Sequence, residues 1–223
     1  MFSRTELVIG SKNLEKIKKS KILVLGVGGV GGYVVELFAR LGVENLTIVD
    51  FDKIDRTNLN RQTIAYASSI GKNKVDVLAK IVKEINANCC LSSYMCKICG
   101  DNLDSIILPQ YDYVVDAIDD LKAKVEIAKY CNKNNIKLLS SMGTGNRYKD
   151  IPKFEVCDVY KTSYDKLAKK LRKMLKDEGV DKLDVVYTKQ PPEQTESLGS
   201  VVYYPFMCAG TIVSFIANKI IDG

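Results

Sequence analysis

The glycine-rich stretch Gly26-Val27-Gly28-Gly29-Val30-Gly31 lies between an apolar run at residues 22–25 and a segment with helical apolar spacing at residues 30–41. Gly26 permits a tight turn, Gly28 lets the backbone approach a phosphate, and Gly31 lets the helix pack closely on the strand. The N-terminus of such a helix offers free N–H groups and positive dipole to an anion. The stretch therefore predicts a strand–turn–helix unit that binds a nucleotide, with glycines used only for packing as the alternative.

Apolar runs and helical segments alternate through the first two thirds of the chain. The predicted strands lie at residues 22–25, 46–49, 91–98, 113–118 and 137–141, and the predicted helices lie at residues 30–41, 73–86 and 121–134. Alternation of this kind is typical of parallel strands joined by helices that cover the sheet. The fold class is therefore predicted as Rossmann-like α/β: a doubly wound, mostly parallel sheet with helices on both faces.

The regular alternation of predicted strands and helices ends after Gly143. Strands are predicted at residues 154–158 and 185–188 and a helix at residues 163–178, and the segment 189–200, with Pro191, Pro192 and Gly199, predicts a mobile loop. We predict a single domain over residues 1–223. It would comprise a nucleotide-binding core at 1–145 and a C-terminal α+β extension at 146–223 for substrate and dimer contacts.

The amino-acid composition limits the possible catalytic mechanisms and indicates the cellular compartment. The chain of 223 residues contains no histidine, which excludes mechanisms that need an imidazole base or ligand. Seven scattered cysteines and the lack of a signal-like apolar core in residues 1–10 indicate reduced thiols in the cytoplasm. Residues 201–217 carry no charge but contain Pro205 and fall short of the roughly 20 residues of a membrane span. They predict a buried C-terminal helix from about Met207 and no stable membrane partner.

The net charge of +6 lies entirely in the residues after position 120. The densest run of cations is opposed only by Asp165, and it consists of Lys161, Lys166, Lys169, Lys170, Arg172, Lys173 and Lys176. Such a run on one short helix favours a polyanionic partner. The alternative is an ordinary solvated lysine face.

Charged residues follow the predicted strands at positions that suit a nucleoside triphosphate. Asp50 ends the second strand, where a carboxylate can accept hydrogen bonds from ribose hydroxyls. NAD-dependent dehydrogenases use an acidic residue at this position in the same way. Arg61 and Lys74 could supply the cations that a triphosphate needs and a dinucleotide does not. Asp119 follows the fourth strand, where a carboxylate beside triphosphate usually holds magnesium. The alternative for Asp119 is an N-cap of the next helix.

In combination these motifs resemble the ThiF/MoeB/HesA (ubiquitin-activating-enzyme-like) superfamily, whose pattern runs glycine-rich turn, acidic strand end, Asn-x-x-Arg-Gln, lysine and aspartate. The resemblance covers roughly residues 20–140 and implies ATP and magnesium, with Asp119 as the metal ligand and Arg61, Lys74 and Asp119 as catalytic residues. The implied ATP site comprises Gly26, Gly28, Gly29, Gly31, Asp50, Asp52, Asn58, Arg61, Gln62, Lys74 and Asp119. Members of the superfamily are homodimers in which an N-terminal arginine, here Arg4, reaches the ATP of the partner subunit.

Four further stretches look like the tRNA threonylcarbamoyladenosine dehydratase branch of this superfamily: residues 2–7, 113–119, 141–146 and 159–162. In that branch ATP activates the threonyl carboxylate of a modified adenosine beside the anticodon as an acyl-adenylate, and intramolecular attack closes a ring. The resemblance implies tRNA as the partner, held at its anticodon region, and assigns the basic run 161–176 to tRNA binding. No separate nucleophile is required, which suits a chain without histidine.

Two other functions stay open at this point. One is an adenylyltransferase that activates the C-terminal glycine of a ubiquitin-like sulfur-carrier protein, with a sulfur-transfer or carrier protein as partner. The other is a dehydrogenase-type or nucleotide-binding Rossmann protein. Sulfur-carrier activators typically bind zinc through two Cys-x-x-Cys pairs, whereas this chain has only Cys96-Lys97-Ile98-Cys99, inside a predicted strand. Residues three apart on a strand face opposite sides, so no zinc is predicted.

Overall fold

The strands form one sheet in a computed structural model that describes residues 1–223. The strands are β1 (Lys21–Leu25), β2 (Asn45–Val49), β3 (Cys90–Tyr94), β4 (Tyr113–Asp116), β5 (Leu138–Ser141), β6 (Glu155–Asp158) and β7 (Asp184–Tyr187). Their order across the sheet is β3-β2-β1-β4-β5-β7-β6. All neighbours are parallel except β6 and β7, which are antiparallel. The predicted doubly wound, mostly parallel α/β fold is confirmed.

Helices cover both faces of this sheet. They are α1 (Ser3–Ile9), α2 (Ser11–Lys19), α3 (Gly31–Leu41), α4 (Lys74–Ile85), α5 (Leu103–Ile106), α6 (Leu121–Lys133), α7 (Lys166–Asp177) and α8 (Tyr203–Asp222). Side chains of β1 alternate between the faces: Ile22 and Val24 pack in a core cluster with α3, α4 and α8, whereas Leu23 and Leu25 pack in a second cluster with α5 and α6. A third cluster joins α6 and α7.

The C-terminal extension continues the same sheet. β7 pairs with β5 and β6 pairs with β7, so the strands after Gly143 lengthen the sheet of the nucleotide-binding core. The last helix, α8, packs against α3 and also contacts β5, β6 and β7, and its Cys208, Ile212 and Ile216 are fully buried in the core cluster that includes α3. α8 is the one helix long and apolar enough to cross a membrane by length and composition, and 44% of its most apolar stretch is buried.

Some predicted boundaries were wrong. The third strand was predicted at 91–98, but β3 ends at Tyr94 because it is an edge strand with mostly exposed side chains, and Ile98 turns into the cluster of α5. The C-terminal helix begins at Tyr203 rather than Met207, since Pro205 lies in its first turn, where a missing N–H costs little. α7 begins at Lys166 rather than residue 163 because Asp165 caps it through Ala168 N.

Candidate active site

The glycine-rich turn needs its glycines for close approach of the backbone. Gly26 has a φ of +81°, and a Cβ there would lie 3.0 Å from the carbonyl oxygen of Ala117 at the end of β4. A Cβ on Gly31 would overlap the carbonyl oxygen of Gly26. α3 begins at Gly31 and no side chain caps its N-terminus. Gly32 N donates to Gly28 O at 3.0 Å, whereas Gly31 N makes no hydrogen bond within the chain and is available to an anion.

Two aspartates after β2 connect the turn to α4. The Asp50 carboxylate accepts hydrogen bonds from Val27 N and Asp52 N, both at 2.8 Å, and so fixes the end of β2 against the glycine-rich turn. Asp52 pairs with Lys74, whose Nζ lies 2.7 Å from Oδ2 and whose side chain is almost completely buried. The ammonium retains further N–H donors for a ligand, because one of its three donors is used.

The segment after Asp55 lies across the turn and carries three of the predicted phosphate ligands. Asn58 is buried, and its main-chain oxygen accepts hydrogen bonds from the backbone of Arg61 and Gln62. A Cβ on Gly29 would lie 3.7 Å from Arg61 Cγ, and one on Gly28 would lie 3.8 Å from Gln62 Nε2. The local hydrogen bonds therefore hold both side chains over the turn.

Two features of this segment fit a bound nucleotide. The Oε1 atom of Gln62 is buried and has no hydrogen-bond partner, a state that costs about 1–3 kcal/mol unless a ligand supplies one. A nucleotide hydroxyl, or a phosphate oxygen after rotation of the amide, would satisfy that group. Arg61 forms no ion pair with any carboxylate of the chain, which leaves its positive charge for an anion.

Asp119 is free for a ligand because its neighbour caps the next helix. The Asp120 carboxylate accepts hydrogen bonds from Lys122 N at 2.8 Å and Ala123 N at 3.2 Å at the start of α6. The alternative that Asp119 is the N-cap is therefore wrong. Asp119 is exposed and makes no hydrogen bond within the chain. It follows Ala117 and Ile118, which contact the glycine-rich turn, so it lies at the same edge of the sheet.

Arg4 is not brought to this site within one chain. Its helix α1 lies beyond the far end of α3, where Phe2 would lie 3.5 Å from a Cβ on Gly42. α3 has 11 residues and is about 16 Å long, so the length of that helix separates this region from the glycine-rich turn.

Comparison with known proteins gives the family. A sequence model of the ThiF family matches residues 2–218. This chain belongs to the ThiF family. It is 38% identical over 192 residues to the tRNA threonylcarbamoyladenosine dehydratase of Bacillus subtilis (strain 168), covering 86% of this chain and 75% of that protein. It is 34% identical over 208 residues to the dehydratase of Escherichia coli (strain K12), covering 90% and 77%.

A solved structure agrees in fold as well as in sequence. The crystal structure of the E. coli tRNA N6-threonylcarbamoyladenosine dehydratase in complex with ATP matches this ThiF-family chain with a TM-score of 0.94 at 31% identity. The match covers 99% of this chain and 93% of that one. It therefore includes both the nucleotide-binding core and the C-terminal extension.

A buried ion pair underneath the site was missed from the sequence. Lys124 Nζ donates to Asp116 Oδ2 at 2.9 Å, to Ser140 Oγ at 3.1 Å and to the carbonyl oxygen of Ser141 at 3.0 Å. These contacts join the ends of β4 and β5, and both charged side chains are at most 1% exposed. The helical pattern of residues 121–134 does not reveal this pair, because a lysine inside an amphipathic helix usually lies at the surface.

Arg147 is a second buried cation that the sequence did not reveal. It donates to the carbonyl oxygens of Gly143 at 2.6 Å and Gln190 at 2.8 Å, and its Nη2 lies 3.4 Å from Asp165 Oδ2. Burial lowers the pKa of the Arg147 guanidinium, while the neighbouring Asp165 carboxylate acts in the opposite direction. Arg147 thus fastens the N-terminus of α7 to the loop that follows β5.

The predicted tRNA-binding residues divide into two groups. Five lysines form one exposed stripe of α7, opposite the buried residues Ala168, Leu171 and Leu175, and they are Lys166, Lys169, Lys170, Lys173 and Lys176. Lys161 is exposed on the preceding 3-10 helix Val159–Lys161. Arg172 instead turns inward, where its Nη1 donates to the main-chain oxygen of Thr162 at 3.0 Å. None of the five lysines forms an ion pair within the chain.

The cysteines give no support to thiol or zinc chemistry. Burial raises the pKa of Cys131 and of Cys208 to about 12, so both are protonated thiols at neutral pH. Cys96 and Cys99 lie in the loop after β3, not inside a strand as predicted. No group of three or more potential metal-binding side chains occurs in this ThiF-family chain.

Proposed function

We propose that this chain is an ATP-dependent tRNA threonylcarbamoyladenosine dehydratase. The observation that carries the proposal is the ATP-type site at the glycine-rich turn, in a chain that aligns over 86% and 90% of its length with two such dehydratases. The enzyme adenylates the threonyl carboxylate of the modified adenosine and then cyclises it.

The residues at the turn have separate tasks toward ATP. The N-terminus of α3 and the backbone of Gly28 and Gly29 face the phosphates, and Asp50 and Asp52 accept hydrogen bonds from the ribose. Asn58, Arg61, Gln62 and Lys74 contact the phosphates. This assignment is supported by the unpaired guanidinium of Arg61 and the unsatisfied amide of Gln62.

Asp119 is the proposed ligand of a magnesium ion that accompanies ATP. Its support is chemical: an exposed carboxylate without a protein partner, beside a turn suited to phosphates, matches the oxygen ligands that magnesium prefers. When bound, the ion would neutralise charge on the phosphate oxygens.

The reaction balances without a protein nucleophile. A carboxylate oxygen of the threonyl group attacks the α-phosphorus of ATP, and pyrophosphate leaves as the bond to the β-phosphate breaks. An atom of the adjacent carbamoyl group then attacks the acyl carbon while that group loses an N–H proton to solvent, and AMP departs with the former carboxylate oxygen. The substrate loses the elements of one water, and Arg61 and Lys74 stabilise the charge that develops on the phosphates.

We propose that two copies of the chain complete the site. Arg4 lies too far from its own glycine-rich turn to contact ATP there, and it is exposed on a helix that buries none of its residues. On α1, Leu7 and Val8 are 84% and 83% exposed, which offers apolar surface to a second copy. In the homodimer, Arg4 of one subunit would meet the ATP phosphates of the other.

The lysine stripe of α7 is the proposed contact for the anticodon region of tRNA. The stripe is unpaired, and Arg147 and Asp165 fasten its N-terminus to the loop after β5 at the same sheet edge as the ATP site. Lysines so placed can hold RNA phosphates while the modified base reaches ATP. Seven free cysteines fit a reducing cytoplasm, where tRNA is found.

A sulfur-carrier adenylyltransferase would use the same ATP site and a protein partner. The structural match to the E. coli dehydratase covers 99% of this chain and so includes the C-terminal extension, which favours the tRNA substrate over the carrier protein. Nucleoside mass spectrometry separates the two. tRNA that contains threonylcarbamoyladenosine should lose one water per modified adenosine when it is incubated with the enzyme, ATP and magnesium, but not when ATP is omitted. Unchanged tRNA together with adenylation of a ubiquitin-like carrier would overturn the proposal.

A further inference from the structure

Arg61 is held by only one of its three guanidinium nitrogens. Nη1 donates to the carbonyl oxygen of Thr57 at 2.8 Å and to Oδ1 of Asn60 at 2.9 Å, which uses both of its protons. Nε and Nη2 make no hydrogen bond within the chain. The guanidinium is therefore fixed in orientation with a free pair of donors, the arrangement that binds a phosphate through two hydrogen bonds.

Asn60 joins this arginine to a distant segment. Its Nδ2 donates to the carbonyl oxygen of Ser200 at 2.9 Å, while its Oδ1 accepts from Arg61. An amide satisfies both contacts in only one of its two orientations, since donor and acceptor are on different atoms. Whatever fixes Arg61 thus also fixes the end of residues 189–200, a segment named the strap below.

The strap rests on Asn146, in the loop that follows β5. Asn146 N donates to Gly199 O at 2.9 Å, Glu193 N donates to Asn146 O at 2.6 Å, and Asn146 Nδ2 donates to Thr195 Oγ1 at 2.6 Å. Asn146 Oδ1 also accepts from Gly199 N. A Cβ on Gly145 would lie 2.7 Å from Leu198 Cδ1, so the strap lies directly on this loop.

Few apolar contacts hold the strap in place. Most of its residues are exposed, and Leu198 is 85% exposed. Its position therefore depends on polar contacts. Toward Ser200 these are the hydrogen bonds to Asn60 and Asn146. Toward residue 189 they are the bond from Arg147 to Gln190, the bonds of the Gln190 amide to Ile151 and Lys153, and the ion pairs Lys149–Glu193 and Lys189–Glu155. Surface polar contacts of this kind can form or break when a ligand binds near the Ser200 end of the strap.

We propose that Asn60 is a positioning residue that couples the phosphates of ATP at Arg61 to closure of the strap over the loop after β5. A phosphate on Nε and Nη2 fixes Arg61, and through Asn60 it fixes the strap. By reciprocity, the closed strap increases the affinity for ATP by the same factor. Bound ATP thereby holds the strap on the loop after β5, where it already rests. The inference rests on the proposed role of Arg61 as an ATP ligand.

The test compares Asn60→Ala with Asn134→Ala, which removes one exposed side-chain hydrogen bond at the C-terminus of α6. Asn60→Ala should raise the Kd and KM for ATP about tenfold, the effect of one hydrogen bond to a charged group, with kcat at saturating ATP nearly unchanged. In the wild type, ATP should slow hydrogen exchange of the Glu193 and Gly199 amides, and Asn60→Ala should abolish that slowing. Asn134→Ala should match the wild type in both measurements.

A second variant tests the coupling from the strap. Asn146 has a φ of 56°, which glycine adopts without strain, so Asn146→Gly removes the side-chain bonds alone. Asn146→Gly should raise the Kd for ATP severalfold, although Asn146 does not touch the glycine-rich turn. Unchanged ATP affinity in Asn60→Ala or in Asn146→Gly, in an enzyme whose wild type binds ATP and dehydrates tRNA, would overturn this inference and leave the proposed function standing. A wild type that does not bind ATP would overturn both.

Discussion

At the scale of single residues, the site is defined by which polar groups are already engaged inside the chain. Asp120 caps α6, whereas its neighbour Asp119 has no partner. Motif spacing marks Asp119, Arg61 and Lys74 in the sequence. Nothing marks Lys124 or Arg147, since a buried cation in an amphipathic helix or a loop has the same local pattern as an exposed one.

Substitution of Asp119 should lower the catalytic rate, whereas substitution of its neighbour Asp120 should lower the stability. Asp119→Asn should lower kcat at least about tenfold, a loss of roughly 1.4 kcal/mol of transition-state stabilisation, with an unchanged melting temperature because the side chain is exposed. Asp120→Ala removes a helix cap and should cost about 1 kcal/mol of stability with normal turnover of the folded enzyme. Steady-state kinetics and thermal unfolding of both variants check this, and wild-type turnover in Asp119→Asn would place the metal ligand elsewhere.

The buried pair of Lys124 and Asp116 should be important for folding. Lys124→Met leaves the Asp116 carboxylate buried without its cation, so the free energy of unfolding should fall by about 3–5 kcal/mol. The matched control is Lys122→Met on the same helix, because the Lys122 side chain is 83% exposed and its contact with Glu126 is 3.9 Å long. Urea denaturation measures both, and equal losses in the two variants would contradict the role of the buried pair.

At the scale of elements, the ends of β1, β2 and α3 were predicted correctly because a glycine or a short apolar run marks them, whereas the fourth strand was predicted to reach residue 118 and β4 ends at Asp116. The helix α3 ends before Gly42, which has a φ of 108°, as its sequence predicted. The predicted end of β3 was wrong, because an edge strand has little apolar pattern. The short N-terminal helices α1 and α2 were not predicted. The helical pattern around residue 166 did predict α7, and its hydrophilic face carries the lysine stripe.

Charge reversal on α7 should weaken tRNA binding without affecting ATP. Changing Lys169, Lys170 and Lys173 to Glu should lower tRNA affinity and flatten its salt dependence, because each lost phosphate contact reduces the slope by about 0.7–0.9. Reversal of Lys12, Lys80 and Lys83, which are exposed on α2 and α4, changes the net charge equally and serves as the control. Binding titrations at two salt concentrations test this, and identical slopes for the two triple variants would remove α7 as an RNA surface.

At the scale of the whole molecule, the sheet order explains why the residues of the candidate ATP site meet at one edge of the sheet. The order reverses between β1 and β4, so the turn after β1 and the acids after β4 meet at the carboxyl edge of the sheet. This part of the site follows from the order of strands and helices in the sequence. The position of Arg4 does not, since it depends on how α1 packs at the far end of α3, and its proposed contact with ATP would also need a second copy of the chain.

A site shared between subunits predicts that two inactive variants restore each other. Arg4→Ala and Asp119→Asn should each retain at most about a tenth of wild-type activity alone. In a mixed dimer, one site combines the intact Asp119 of one subunit with the intact Arg4 of the other, so an equal mixture after subunit exchange should regain about a quarter of wild-type activity. The matched control mixes Lys74→Ala with Asp119→Asn, whose two residues belong to the same subunit's site, and it should recover nothing. The measurement is the tRNA dehydration activity of both mixtures. Equal recovery of activity in the two mixtures, or no recovery in either, would contradict a role of Arg4 across the dimer.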